Sequence, residues 1–222
     1  MQKTFATLLA SDDYLPGVLV LHQSLKKTGT REGFLVLVTP EVSPPVLACL
    51  AGCGIPTRPV APLESPYAGL ANPAYLRVFT KLRIFELVDY QKVVYLDTDM
   101  LVCAGIDALF EKPAWSAVNA GGMLPEKADW VQLNAGLLVV APDADVFREM
   151  AHLKDILPSS DGGDQGFLQA YRPQWPDEPH LHLDHAYNLF VGHADRYARL
   201  FGYHLPPAGR APDDRTIRVL HF

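Results

Sequence analysis

Long apolar runs are missing from this sequence, and no stretch approaches the roughly 20 residues a helix needs to cross a bilayer. Cysteine is scarce. Cys49, Cys53 and Cys103 are odd in number and lack metal-ligand spacing, which argues against a disulfide framework and reads as reduced thiols in a cytoplasmic protein. A basic excess is missing too: 19 Lys and Arg stand against 25 Asp and Glu, a net charge of −6. The chain therefore lacks the electrostatic footprint of a nucleic-acid binder, although a local basic pocket for a small anion stays open. The start carries Lys3 and a short apolar stretch, but Thr7 and then Ser11-Asp12-Asp13 interrupt it, so a buried strand explains it better than a signal peptide. Repeats, low-complexity tracts and linkers are also missing. With 49% hydrophobic and 20% charged residues, the 222-residue chain reads as one folded domain around a single core rather than a disordered one.

Within that domain, strand-like and helix-like segments alternate, the pattern of a mostly parallel sheet covered by helices. Strands are expected over 5–9, 34–38, 93–96, 116–119, 136–141 and 216–220. Helices are expected over 14–27, where Val18, Leu21 and Leu25 share a face before Thr28-Gly29, and over 45–51 before Gly52 and Gly54. An amphipathic helix is expected over 74–88, with Leu76, Phe79, Leu82, Ile84 and Phe85 set among Arg77, Lys81 and Arg83. Further helices are expected over 144–157 and 164–171, and the stretch 173–207, rich in Pro, His and Tyr, reads as mixed loop and short helix.

The most informative stretch is Val93-Val94-Tyr95-Leu96-Asp97-Thr98-Asp99. An apolar strand delivers two carboxylates to its C-terminal end, and residues two apart in extended chain point to one side. The C-terminal edge of an open α/β sheet is where ligands bind. Two carboxylates this close repel unless a cation sits between them, and oxygen ligands suit Mg²⁺ or Mn²⁺, which suit a diphosphate. The plainer alternative is an Asp-x-Asp that caps the next element. A phosphatase of the haloacid-dehalogenase type uses a similar string with a nucleophilic first Asp. However, Asp97-Thr98-Asp99-Met100-Leu101 lacks the Thr or Val that such enzymes carry at the fifth position, and two strand–helix units precede it.

Several segments in order resemble glycosyltransferase family 8, the retaining enzymes of glycogenin and galactinol-synthase type. They are Phe5-Ala-Thr-Leu-Leu-Ala-Ser-Asp-Asp-Tyr14, Thr80-Lys-Leu-Arg-Ile-Phe-Glu-Leu87, Tyr95-Leu-Asp-Thr-Asp-Met-Leu-Val102 and Ile106-Asp-Ala-Leu-Phe110. Asn134-Ala-Gly-Leu-Leu-Val-Val140, Asp161-Gly-Gly-Asp-Gln-Gly-Phe167, Tyr187-Asn188-Leu189 and Val219-Leu-His-Phe222 follow. The resemblance implies a GT-A fold, with a Rossmann-like nucleotide half over roughly 1–102 and an acceptor half over roughly 103–222. It also implies a UDP-sugar donor, Mn²⁺ dependence with Mg²⁺ as the alternative, and transfer of a hexose with retention to a glycan or polyol hydroxyl.

Residue by residue, the resemblance implies that Leu8, Ala10, Ser11 and Tyr14 line the uridine site, with Tyr14 on uracil, and that Lys81 faces the donor. Asp97, Asp99 and His221 are the implied metal ligands, with Thr98 between the carboxylates. Asn134, Ala135, Asp164 and Gln165 stand where the sugar and the reacting centre are handled. Asp184, His185, Tyr187 and Asn188 are expected in the acceptor wall. Plainer roles stay open at this point: a solvated Lys81, Asp164 as a helix cap, Asn134 in a turn, Tyr14 in the core.

The sequence ends at Phe222, before the Gly, Lys and Pro-Trp with which the family continues, so either the chain is trimmed or it lacks that clamp. Asp195, with Tyr197 nearby, falls where glycogenin carries its self-glucosylated tyrosine, which argues against self-glucosylation. Front-face attack, with the departing phosphate as base, is favoured over a covalent intermediate because Gln165 is a poor nucleophile. A hydrolase, a degenerate nucleotide-sugar-binding module and a homodimer stay open.

Overall fold

The computed structural model describes residues 2–66, 73–207, 209 and 211–222, with the backbone alone at 73–76. The chain opens with β1 (Gln2–Leu9), whose middle is buried on both faces, as expected of a parallel strand covered on both sides. A 3-10 turn leads into α1 (Leu15–Lys27), which has Pro16 in its first turn and Lys26 and Lys27 in its last. Val18, Leu21 and Leu25 form its buried face. β2 (Gly33–Val38), α2 (Pro44–Gly52) and β3 (Thr57–Pro59) complete the first wing.

The segment expected as an α-helix over 74–88 is instead a run of 3-10 turns, Pro73–Glu86. Phe79, Leu82 and Phe85, all buried, recur every third residue, which matches three residues per turn and seats them in one apolar cluster. The side chain of Leu76 lies outside the described residues.

β4 (Tyr90–Leu96) and β5 (Met100–Val102) follow, then β6 (Ala117–Asn119) and β7 (Leu133–Val140). Next come α3 (Ala144–Leu153), which is shorter than the expected 144–157, and α4 (Asp164–Tyr171). β8 (Leu189–Phe190), α5 (Ala194–Phe201) and β9 (Val219–His221) close the chain. The expected last strand over 216–220 is therefore shorter and displaced to 219–221.

Six strands form the main sheet in the order β3-β2-β1-β4-β7-β6, with β1 parallel to β2 and β4, and β4 antiparallel to β7. From β1 the chain winds outward through β2 and β3, then returns on the other side as β4. The C-terminal ends of β1 and β4 thus flank the point where strand order reverses, and a cleft opens there. Apolar clusters cover both faces: Phe5, Leu21 and Val94 belong to one, Ala6, Phe79 and Tyr95 to the other.

A second sheet, β5-β9-β8, decides the geometry of the cleft. β9 runs antiparallel to β5 with His221 opposite Met100, and the Phe222 amide donates to the Asp99 carbonyl at 3.0 Å. A residue 122 positions along the chain is thereby laid beside the Asp97–Asp99 loop. No helix among the described residues is long and apolar enough to cross a membrane.

Candidate active site

The Asp97–Asp99 loop leaves β4 at the switch point and is held on three sides. The Asp97 amide donates to the Gly136 carbonyl of β7 at 2.9 Å, and β9 holds Asp99 as described. On the third side, α1 comes so near that a Cβ on Gly17 would sit 2.4 Å from the Thr98 carbonyl oxygen. Asp97, Asp99 and His221 each place a ligand atom within 4.8 Å of the other two. His221 is buried, whereas the Asp99 side chain is 53% exposed and open to a ligand. Burial alone would raise the Asp99 carboxyl, but hydrogen bonding and charge from His221 bring it below its ordinary value. Gly136 makes room for the imidazole: a Cβ there would lie 2.7 Å from His221 Cε1. Two carboxylates and one imidazole fit a divalent metal ion.

Behind these ligands lies a buried ion cluster. Lys81, whose side chain is 7% exposed, puts Nζ 2.6 Å from Asp164 Oδ2 and 3.1 Å from Asp97 Oδ1. Nζ also donates to the Ala135 carbonyl at 3.3 Å, so the ammonium sits between two carboxylates and a backbone oxygen. Burial alone would depress the lysine; Asp164 and Asp97 outweigh it and hold the ammonium above its ordinary value. Burial pushes the Asp164 carboxyl up, against the pull of Lys81. Asp164 is the first residue of α4, after Gly163 at the N-cap, and its carboxylate pairs with Lys81. The Tyr95 hydroxyl donates to Asp97 Oδ1 at 2.9 Å, with Lys81 Nζ 5.1 Å from its ring centre.

The cleft has a volume of about 750 Å³. Leu8, Ala10, Tyr14, Lys81, Asp97, Thr98, Asp99, Asn134, Ala135, Asp164, Gln165 and His221 all line it. Tyr14 is half exposed, with its ring free to face a ligand. Ser11 stands outside the lining, where its hydroxyl caps the 3-10 turn by accepting the Asp13 amide at 3.4 Å. Gln165 Oε1 accepts the Ala135 amide at 3.1 Å, pinning the start of β7 to α4.

The expected acceptor wall is built differently. Asp184 accepts the Tyr203 hydroxyl and the Ala186 amide, and Tyr187 packs beneath Arg218; neither lines the cleft. His185 and Asn188 border a small recess beside it. The open wall is formed by Lys127, Trp130, Phe190 and His193, with Lys127 Nζ 3.0 Å from His193 Nε2. Sequence reasoning also missed Arg77, Tyr95 and Asp161 in the lining. Arg77 pairs with Glu41. Asp161 Oδ1 accepts the Gly163 and Gly166 amides at 2.8 and 3.1 Å. Tyr95 was legible, since it precedes Asp97 by two residues on a strand; the Phe190 and His193 wall carries no local signal.

A mostly parallel sheet with two carboxylates and a histidine at its switch point, flanked by helices, is the GT-A glycosyltransferase arrangement. Among solved structures, an active-site mutant of the galactosyltransferase LgtC shares the fold at TM-score 0.68, with 19% identity over 99% of this chain and 86% of that one. No family model matches the chain. Sequence relatives do: the chain is 35% identical over 98% of its length to inositol phosphorylceramide glucuronosyltransferase 1 of Arabidopsis thaliana, covering 40% of that protein. It is 33% identical over 99% of its length to glycogenin-1 of Mus musculus, covering 63% of it. With glycogenins and glucuronosyltransferases as homologues at 29–35% identity over most of its length, the chain belongs with glycosyltransferase family 8. It spans only 40–63% of the length of these first relatives.

Proposed function

We propose that this chain is the catalytic unit of a metal-dependent, retaining glycosyltransferase that moves a hexose from a UDP-sugar to a hydroxyl of a glycan or small-molecule acceptor. The observation that carries this reading is the convergence of Asp97, Asp99 and His221 at the strand-order switch, in a cleft large enough for a nucleotide sugar. Leu8, Ala10 and the exposed ring of Tyr14 offer an apolar bed for uridine, with Tyr14 on the uracil face. Asp97, Asp99 and His221 hold the ion, and their mixed oxygen and nitrogen donors favour Mn²⁺ over the more strictly oxygen-seeking Mg²⁺. A divalent ion there supplies positive charge to the diphosphate as the sugar–phosphate bond breaks.

The other residues orient and balance charge. Lys81, paired with Asp97 and Asp164 and donating to the Ala135 carbonyl, balances the charge of the two carboxylates and holds them in place. Asn134 and Gln165 would present side-chain amides to the sugar, with Asp164 or Gln165 nearest the anomeric carbon. In front-face transfer, the bond from C1 to the phosphate oxygen breaks with its electron pair leaving on UDP. The acceptor oxygen bonds to C1 from the same side, and its proton passes to the departing diphosphate. No carboxylate on this path has to act as a nucleophile. The half-exposed Trp130 and Phe190, with Lys127 and His193, form the face an acceptor ring stacks on.

The test is calorimetric titration of UDP with and without Mn²⁺, followed by UDP release from UDP-Glc, UDP-Gal, UDP-GlcNAc and UDP-GlcA. The expected result is Mn²⁺-dependent binding and release with one preferred donor. UDP binding indifferent to Mn²⁺ would overturn the metal assignment, and binding without release on any donor or acceptor would mark a binding module. Localisation to the cytoplasm is part of the same proposal and is checked by fractionation.

A further inference from the structure

Four polar groups behind the ion site form a chain whose direction is set at one end. The Gly136 amide donates to Asn134 Oδ1 at 2.8 Å. A backbone N–H is always a donor, so that atom of Asn134 is the oxygen. The same oxygen lies 2.8 Å from the side-chain amide of Asn188, which must present its nitrogen there and donate. The carbonyl oxygen of Asn188 is thereby turned to His221 Nδ1, 2.9 Å away. A carbonyl oxygen only accepts, so Nδ1 carries the ring proton. In the neutral ring, the form that can ligate an ion, the lone pair is then on Nε2, and it is this atom that faces Asp99 Oδ1 at 3.4 Å. All three side chains are at most 8% exposed, so water does not compete for these bonds. Phe190, stacked on the imidazole with ring centres 4.4 Å apart, blocks rotation of the ring.

We infer that Asn188 is a positioning residue that fixes the tautomer of His221, holding the proton on Nδ1 and the Nε2 lone pair toward Asp97 and Asp99. The consequence for the ion rests on the reading above: a nitrogen whose lone pair is already aimed at the ion binds without rearrangement, as partners of metal-bound histidines generally ensure. The recess that Asn188 borders is on this account the back of the ion site and not a surface for the acceptor.

The tautomer is measured directly by long-range ¹H–¹⁵N correlation on the metal-free protein at mildly alkaline pH, with His221 assigned from a His221→Gln variant. The expected spectrum has a protonated Nδ1 and a bare Nε2. A proton on Nε2 in the wild-type chain would overturn the inference without any mutation. Asn188→Asp still offers Nδ1 an acceptor and should keep the tautomer; Asn188→Leu offers none and should lose it. Mn²⁺ affinity, read by the loss of the free-ion electron paramagnetic resonance signal, should fall about 10- to 100-fold in Asn188→Leu and less in Asn188→Asp. Equal affinity in Asn188→Leu and wild type would refute the positioning role. Because the tautomer is read without metal, a chain that shows it yet binds no Mn²⁺ upholds the relay and sinks the metal-dependent function instead.

Discussion

Replacing Lys81 with Met tests whether the ion cluster behind the site is held by charge. The side chains of Lys81 and Asp164 are 7% and 11% exposed, and their charged atoms are 2.6 Å apart. Methionine keeps the length and apolar character of the lysine stem but leaves the Asp164 carboxylate buried and unpaired. Breaking one side of a buried pair costs about 3–5 kcal/mol, a large part of the about 5–15 kcal/mol that holds a domain together. At about 2–4 °C per kcal/mol for a chain of this size, the melting temperature should fall by roughly 6–20 °C. Asp97, 28% exposed, contributes less because water reaches it. Adding Asp164→Leu removes the orphaned charge and should recover most of the loss, since an apolar replacement of a buried pair is often neutral.

The pH dependence of the single variant has a definite sign. Burial already raises the Asp164 carboxyl, and without Lys81 to oppose it the carboxyl rises further. The folded variant then retains a proton that the unfolded chain has released, so its deficit is full above that raised value. It fades as pH falls toward the unfolded value of about 3.9. Calorimetry of the metal-free wild type, single and double variants across this range is the assay. A single variant melting with the wild type, or a double variant as unstable as the single, would refute the charge argument.

Three further outcomes follow from the same geometry. Asp99→Ala removes a direct ligand and should weaken Mn²⁺ binding by more than the about 10- to 100-fold of an outer partner, read by the same resonance titration, with UDP release falling in parallel. Gly17→Ala sets a Cβ 2.4 Å from the Thr98 oxygen and should cost about 1–3 kcal/mol with weakened metal binding, whereas Gly52→Ala, with nothing within 4 Å of the new carbon, should be neutral or stabilising by up to about 1 kcal/mol in urea unfolding. Tyr95→Phe deletes only the hydroxyl that donates to Asp97 and should lower metal affinity while leaving the melting temperature within a few degrees, which thermal unfolding in the absence of metal checks.

What was legible in the sequence is what depends on short-range periodicity. Val93 to Leu96 followed by two aspartates two apart is a strand with a carboxylate pair at its end, and β4 with its loop is built that way. The buried face of α1 follows from Val18, Leu21 and Leu25 in the same manner. The segment around Lys81 shows the limit of such patterns: Phe79, Leu82 and Phe85 fit a period of three as well as a helical stripe, so amphipathicity was legible and the winding was not. β3, β5 and β8, of three, three and two residues, are too short for any alternation to register. The Lys127, Trp130 and His193 wall comes from separate loops brought together only in the folded chain.

His221 is the sharpest case, because nothing within ten residues of it distinguishes a ligand from a surface histidine; only the family resemblance singled it out. Its place is set by the pairing of β9 with β5, by the room left at Gly136, by the ring of Phe190 and by the oxygen of Asn188. These come from three separate parts of the chain: β5, Gly136 and the segment 188–190. Asp97, by contrast, is positioned by β4 and its neighbour β7. The two halves of the ligand set should therefore respond differently to damage at a distance. Loosening the second sheet, for instance by Leu220→Ala opposite Leu101 and Leu189, should weaken the ion through His221 while leaving the Asp97–Gly136 amide bond protected from hydrogen exchange. If Leu220→Ala exposed the Asp97 amide to the same degree as the Phe222 amide, the ligands would form one cooperative unit, and this division of the site would be wrong.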